Sequence, residues 1–195
     1  MLKDKLYTIL ATGFYSGKMP FAQGTWGSIL AVLIWFVFNR CFYSFHSSFI
    51  ERVNSYYVIV LMWVLIITGT FFLGIKSANY YCKKYNKDDA KEVVIDEFCG
   101  QWITLLIAFL SFGILGGDIK QFSNKNVMLY CFSYFGALIL PLILFRIFDI
   151  RKPSIIGWVD ANVKGGLGVM LDDVLAGFFA GLTFFILLLI YCILA

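Results

Sequence analysis

Four largely apolar stretches of this chain run for 20 residues or more without a charge: 53–75, 98–117, 126–145 and 174–195. A helix needs about 20 apolar residues to cross roughly 30 Å of hydrocarbon, so each run predicts a membrane span. A fifth uncharged run, 19–39, is less uniform. Pro20, Gln23, Gly24, Thr25, Gly27 and Ser28 make its first half polar and turn-like, and only 29–38 is densely apolar. It predicts either a span that passes Arg40 toward Phe45 or a shorter, partly re-entrant element. Composition agrees with a bilayer as solvent. The chain is 61% hydrophobic and 14% charged, against about 45–50% and 25% for a soluble domain. The expected fold is all-α, a single membrane-embedded domain over residues 1–195 with about five transmembrane helices.

The N-terminal segment carries Lys3 and Lys5 and then an uncharged stretch, 6–17, broken by Thr8, Thr12, Gly13 and Ser16. No small-residue cleavage site follows, so it is read as a retained interfacial segment and not a signal peptide. The five cysteines are scattered and form no CxxC pair, which makes them apolar fillers.

Charge chooses the orientation. With five spans and the N-terminus inside, 12 basic residues are cytoplasmic and only Arg40, Arg52, Lys120 and Lys125 are outside. That is the positive-inside pattern. Ten of the 12 acids fall on the same inner side, all but Glu51 and Asp118. Acids contribute little to topology, so their bias points to a functional cytoplasmic surface. The sole histidine, His46, falls on the other side.

Four inner segments carry candidate chemistry. The first extends from Thr12-Gly13 through Gly17 to Gly24-Thr25-Trp26-Gly27-Ser28. Its glycines and hydroxyls allow backbone N–H groups to approach an anion, with Thr25 and Ser28 as candidate substrate contacts. The plain alternative is a flexible turn with Ser28 as a helix N-cap. The second and third are Asp96-Glu97 and Asp172-Asp173, each placed at the entrance to a span. A helix N-terminus favours negative charge. Dipole-favoured acids are the simple explanation for one pair, but two pairs opening on one face point to a site. Adjacent helical residues point about 100° apart, so one carboxylate of each pair faces the site and its neighbour supports it or holds a second ion. Mg²⁺ suits such a set, because it takes oxygen ligands from one or two carboxylates plus substrate phosphate. The fourth segment runs from Arg146 to Pro153, with Arg146 and Asp149 at i, i+3 on one helix face. Lys152 follows, and Pro153 ends the helix. Basic residues here also serve as membrane anchors, but Asp149 gains nothing in that role. Beyond it, Asp160 and Lys164-Gly165-Gly166 precede the last acid pair, and that glycine turn could wrap a phosphate. The 80–93 loop is read as a solvated connector.

Together these segments resemble the phosphatidylglycerophosphatase A family. The matching stretches are GTWGS (24–28), IDEFCGQWITL (95–105) and FRIFDIRKPSIIGWVDANVKGGLGVMLDDVLAG (145–177). They cover about a quarter of the chain, in order. One departure is Gln23, where the family usually has proline before the glycine-threonine pair. The resemblance implies a helical enzyme of the bacterial inner membrane with its active site facing the cytoplasm. Its substrate would be phosphatidylglycerol phosphate, its product phosphatidylglycerol, and its cofactor Mg²⁺. It implies that Asp96, Glu97, Asp172 and Asp173 belong to the active site and are metal ligands. Asp149 and Lys152 carry over within FDxxKP, and Asp160 within the WxD element.

On this reading the carboxylates hold Mg²⁺ for an in-line displacement, with Asp149 as a further catalytic acid. Arg146, Lys152 and Lys164 bind the remaining phosphate oxygens. No CxxxxxR or DxD pattern is present. Neither nucleic acid nor a protein partner is expected beyond the membrane lipid. A transporter is the main non-enzyme alternative, since intramembrane acids mark ion paths, but none of these acids lies mid-span. A CDP-alcohol phosphotransferase would need a spaced DG…AR…G…D pattern that is absent.

Overall fold

The computed structural model describes residues 2–46, 55–87, 90–115 and 127–194. Glu51, Arg52, Asp118, Lys120 and Lys125, which enter the outer charge count, lie outside those residues, as do Asp88 and Asp89. Among the described residues there is no strand. The order is α1 (Leu2–Ala11), a 3-10 turn (Ser16–Lys18), α2 (Gln23–His46), α3 (Ser55–Tyr85), α4 (Ile95–Leu115), α5 (Val127–Arg151), α6 (Ile155–Asn162) and α7 (Gly165–Leu194).

Helices α2, α3, α4 and α7 are long and apolar enough to cross a membrane. Helix α5 has 25 residues, about 37 Å at 1.5 Å per residue, and contains residues 127–145 of the uncharged run at 126–145. This is a polytopic helical membrane protein, as its uncharged runs predict. The ambiguous run at 19–39 is one continuous helix that passes Arg40 and ends at His46. Its polar first half is therefore helical from Gln23 and not the expected turn. Gly24, Gly27 and Ser28, at i, i+3 and i+4, form a narrow stripe on one face, and α4 packs onto that stripe.

Helix α4 is the hub, packed against α2, α3, α5 and α7. Trp35 stacks on Trp63 at 4.1 Å between ring centres, and Trp63 meets Trp102 at 5.3 Å. The Trp102 indole N–H donates to the Ala31 carbonyl at 2.9 Å, so a buried ring tip is satisfied. On the outside, Leu61, Leu65, Phe72, Leu182 and Ile190 are exposed, as a lipid-facing belt should be.

Helices α4 and α7 approach backbone to backbone. A Cβ at Gly177 would overlap the Gly100 carbonyl and come 2.9 Å from its Cα. Close approach also lets Thr104 Oγ1 donate across to the Gly177 carbonyl at 3.1 Å. Small residues at membrane helix contacts permit this. Gly177→Val should therefore destabilise the protein by about 1–3 kcal/mol, read as a lower thermal midpoint by circular dichroism in detergent. An unchanged midpoint would show that the two helices can separate freely.

The 12–17 loop departs from expectation. Its backbone N–H groups are used internally, for example Phe14 to Ile9, Gly17 to Thr12 and Lys18 to Tyr15. The Thr12 and Ser16 hydroxyls donate to Thr8 and Gly13 carbonyls. The loop is a closed turn with left-handed backbone at Gly13, Phe14 and Tyr15, not an anion cradle. It packs on the segment before α4: the Val94 N–H donates to the Ala11 carbonyl at 2.9 Å, and Gly17 lies against the Glu92 carbonyl. Consequently the 80–93 connector is solvated only in part. Residues 83–87 are exposed, but Ala90 and Val93 are buried.

Candidate active site

Four elements meet at one end of the bundle: the first turns of α2, the start of α4, the end of α5 and the early part of α7. Glu97, in the first turn of α4, is buried. Its Oε2 accepts from Ser28 Oγ at 2.8 Å and pairs with Arg146 Nη1. The same guanidinium nitrogen reaches Asp149 Oδ2 at 2.8 Å, the i, i+3 pairing that the sequence suggests. Arg146 Nε is buried without a hydrogen-bond partner. One carboxylate oxygen each from Glu97, Asp149 and Asp173 lies within 4.8 Å of the others. Asp173 is only 3% exposed, and its carboxylate accepts no hydrogen bond from the described residues.

A second, smaller network flanks the first. Lys152 Nζ donates to Asp172 Oδ2 at 2.5 Å and to Asp160 Oδ1 at 2.7 Å. Helix α5 stops at Arg151, ahead of Pro153, and left-handed backbone at Lys152 and Ser154 turns the chain into α6. Burial opposes the charged form of Lys152, but the bonds to Asp160 and Asp172 outweigh it and raise its pKa above the ordinary lysine value. The stability this cation lends is therefore complete below lysine's ordinary pKa and fades only at higher pH. It is a fixed positive charge at neutral pH.

The structure divides each acid pair. Glu97 and Asp173 join the convergent set. Asp96 Oδ1 accepts the Glu97 N–H at 3.0 Å, and Asp172 Oδ1 accepts the Asp173 N–H at 3.0 Å. Of the four acids expected as metal ligands, then, two converge, and Asp149 makes the third. The helix-dipole argument holds for Asp96 and Glu97 alone. Asp172 and Asp173 lie two turns inside α7, which begins at Gly165.

Other expected contacts lie elsewhere. Ser28 is the sixth residue of α2, not its N-cap, and its hydroxyl serves Glu97 and the Gly24 carbonyl. Thr25 is half-buried in the first turn of α2. Lys164 is exposed between α6 and α7 and pairs with none of the site's carboxylates. The glycine turn at 165–168 is used for packing and not for a phosphate wrap. Gly166 N–H donates to Asn79 Oδ1 at 2.7 Å, and Gly168 lies against the Val163 carbonyl.

The roles of two residues, Gly24 and Gln101, escaped the sequence reading. A Cβ at Gly24 would overlap Glu97 Oε1 and lie 3.1 Å from Arg146 Nη1, so only glycine leaves room for that ion pair. Gln101, one turn along α4 from Glu97, is fully buried, with both carboxamide atoms unpartnered. Its signal in the sequence was an uncharged polar residue at i+4 from Glu97 in an apolar run.

Three carboxylates against one guanidinium leave the cluster short of positive charge, and like charges this close disfavour one another. Hard oxygen donors from three helices are the donor set that Mg²⁺ takes. Beside the cluster, a cleft of about 490 Å³ has Glu97 and Arg146 among its lining residues.

Comparison with known proteins bears on this geometry. The family described as Phosphatidylglycerophosphatase A matches residues 9–188. A phosphatidylglycerophosphatase A of Escherichia coli is 32% identical over 183 residues, covering 91% of this chain and 81% of its own. A Haemophilus influenzae protein of the same name is 29% identical over 181 residues, with 91% and 85% covered. A Bacteroides thetaiotaomicron protein, provisionally named a phosphatidylinositol-3-phosphatase, is 33% identical over 181 residues, with 90% and 89% covered. No solved structure matches the chain.

Proposed function

The chain belongs to the phosphatidylglycerophosphatase A family of phosphatases, and on that premise we propose that it removes the terminal phosphate of phosphatidylglycerol phosphate. Water attacks phosphorus, the bond from phosphorus to the glycerol oxygen breaks, and that oxygen leaves with a proton as phosphatidylglycerol. The observation that carries this reading is the convergence of Glu97, Asp149 and Asp173 around Arg146 at one end of a membrane bundle.

Each of these side chains has a part. Glu97, Asp149 and Asp173 would hold Mg²⁺, which when bound supplies positive charge to the phosphate oxygens. Arg146 fixes the Glu97 and Asp149 carboxylates and contributes a planar set of N–H donors suited to phosphate. Lys152 positions Asp172 beside Asp173. Asp173, whose carboxylate accepts no hydrogen bond from the described residues, would take a proton from the attacking water. The charge pattern supports a cytoplasmic position for this end of the bundle, and membership of the family supports a bacterial inner membrane. There the phosphate reaches the site from headgroup depth while the acyl chains stay in lipid.

The relative from Bacteroides supports a second headgroup, phosphatidylinositol 3-phosphate. Both headgroups carry a phosphomonoester and the lipid phosphodiester on carbons in a 1,3 relation, so one site geometry serves either.

Turnover of phosphatidylglycerol phosphate in detergent micelles should require Mg²⁺, stop with EDTA and return when Mg²⁺ is restored. Equal turnover in EDTA would remove the metal from this account. Folded protein that releases no phosphate from any lipid phosphomonoester would remove the whole reading.

A further inference from the structure

The cleft beside the carboxylate cluster has a composition of its own. One wall is the segment before α2, with Pro20, Phe21 and Ala22, and the other is the segment before α4, with Ala90, Val93 and Val94. The second wall is held by the bond from Val94 N–H to the Ala11 carbonyl and by the contact of Gly17 with the Glu92 carbonyl, and the first is joined to α2 by the bond from Trp26 N–H to the Ala22 carbonyl. The cleft is thus preformed. Only two cations line it, Arg146 and Lys91. Arg146 is engaged by Glu97 and Asp149. Lys91 is exposed and forms no ion pair with the described residues, whereas neighbouring Lys87 is paired with Glu92 at 2.6 Å.

We propose that this cleft is the headgroup subsite, and that Lys91 is a specificity-determining residue that binds the phosphodiester of the substrate. The inference rests on the phosphatase reading above and adds to it. A phosphomonoester seated at the cluster leaves the rest of the headgroup to run out between the two walls. A phospholipid whose terminal phosphomonoester sits on a headgroup alcohol carries a second, singly charged phosphate toward its acyl chains. An ammonium that forms no ion pair with the described residues, in a cleft of mixed polar and apolar lining, is the group that such a phosphate meets. The cleft's volume of about 490 Å³ admits a glycerol or an inositol between the two phosphates. Selection then falls on the spacing of the phosphates more than on the alcohol that separates them. A lipid with one phosphate, such as phosphatidic acid, leaves Lys91 without a ligand.

The test compares wild type, Lys91→Ala and Lys91→Arg on phosphatidylglycerol phosphate and on phosphatidic acid in mixed micelles. Wild type should prefer the two-phosphate lipid at least tenfold in kcat/KM. Lys91→Ala should raise KM for phosphatidylglycerol phosphate about tenfold with kcat changed less than threefold, and should leave kcat/KM for phosphatidic acid within twofold. Lys91→Arg should recover most of the KM. An unchanged KM in Lys91→Ala, or an equal loss on both lipids, would overturn the inference and leave the phosphatase reading standing. Wild type silent on both lipids would instead remove that reading, and the subsite with it.

Discussion

Asp173→Asn should cut phosphate release from phosphatidylglycerol phosphate about a thousandfold, mid-range for a positioned acid–base group. The substitution keeps the shape of the side chain and removes its charge and basicity. Asp173 is buried on α7 within 4.8 Å of the Glu97 and Asp149 oxygens, and no described side chain donates to it. The variant should fold at least as well as wild type, because one of three converging like charges is gone. Steady-state rates paired with thermal unfolding in detergent check both halves. A folded variant with more than a tenth of the wild-type rate would show that Asp173 neither binds metal nor moves the proton.

Gly24→Ala should lower kcat about a hundredfold, the scale of an ångström-sized misplacement. The added methyl would overlap Glu97 Oε1 and crowd Arg146 Nη1, so the ion pair has to move. Elsewhere in a helix the same change helps by up to about 1 kcal/mol. Lost rate without lost stability is therefore the signature, seen by assaying and melting the same preparation. A rate within threefold of wild type would show that the pair shifts without consequence.

Much of this fold is readable from spacing alone. Runs of 20 uncharged residues dictate spans because the bilayer admits little else, and α2 to α4 and α7 follow them. Arg146 and Asp149 pair because i, i+3 is a local relation. Three features were out of reach for the same reason, that they depend on what lies opposite. Ser28 looks like an N-cap until α4 places Glu97 against it. Gly24 looks like a turn residue until the same carboxylate fills the space where a side chain would go. Asp149 reads as one more possible metal ligand, but only the crossing of α5 over α4 and α7 brings it into the cluster. The helix-dipole argument for Asp172 and Asp173 failed because Gly165 starts α7 two turns earlier than the charge pattern suggests.

The central claim is that the carboxylate cluster serves cleavage of a terminal phosphomonoester and leaves the diester intact. Phosphorus NMR of phosphatidylglycerol phosphate micelles incubated with the purified protein and Mg²⁺ tests it most directly. The account predicts that the phosphomonoester resonance gives way to inorganic phosphate, while a single diester resonance persists as that of phosphatidylglycerol. Loss of the diester signal, or a phosphomonoester signal unchanged with folded protein present, would contradict it.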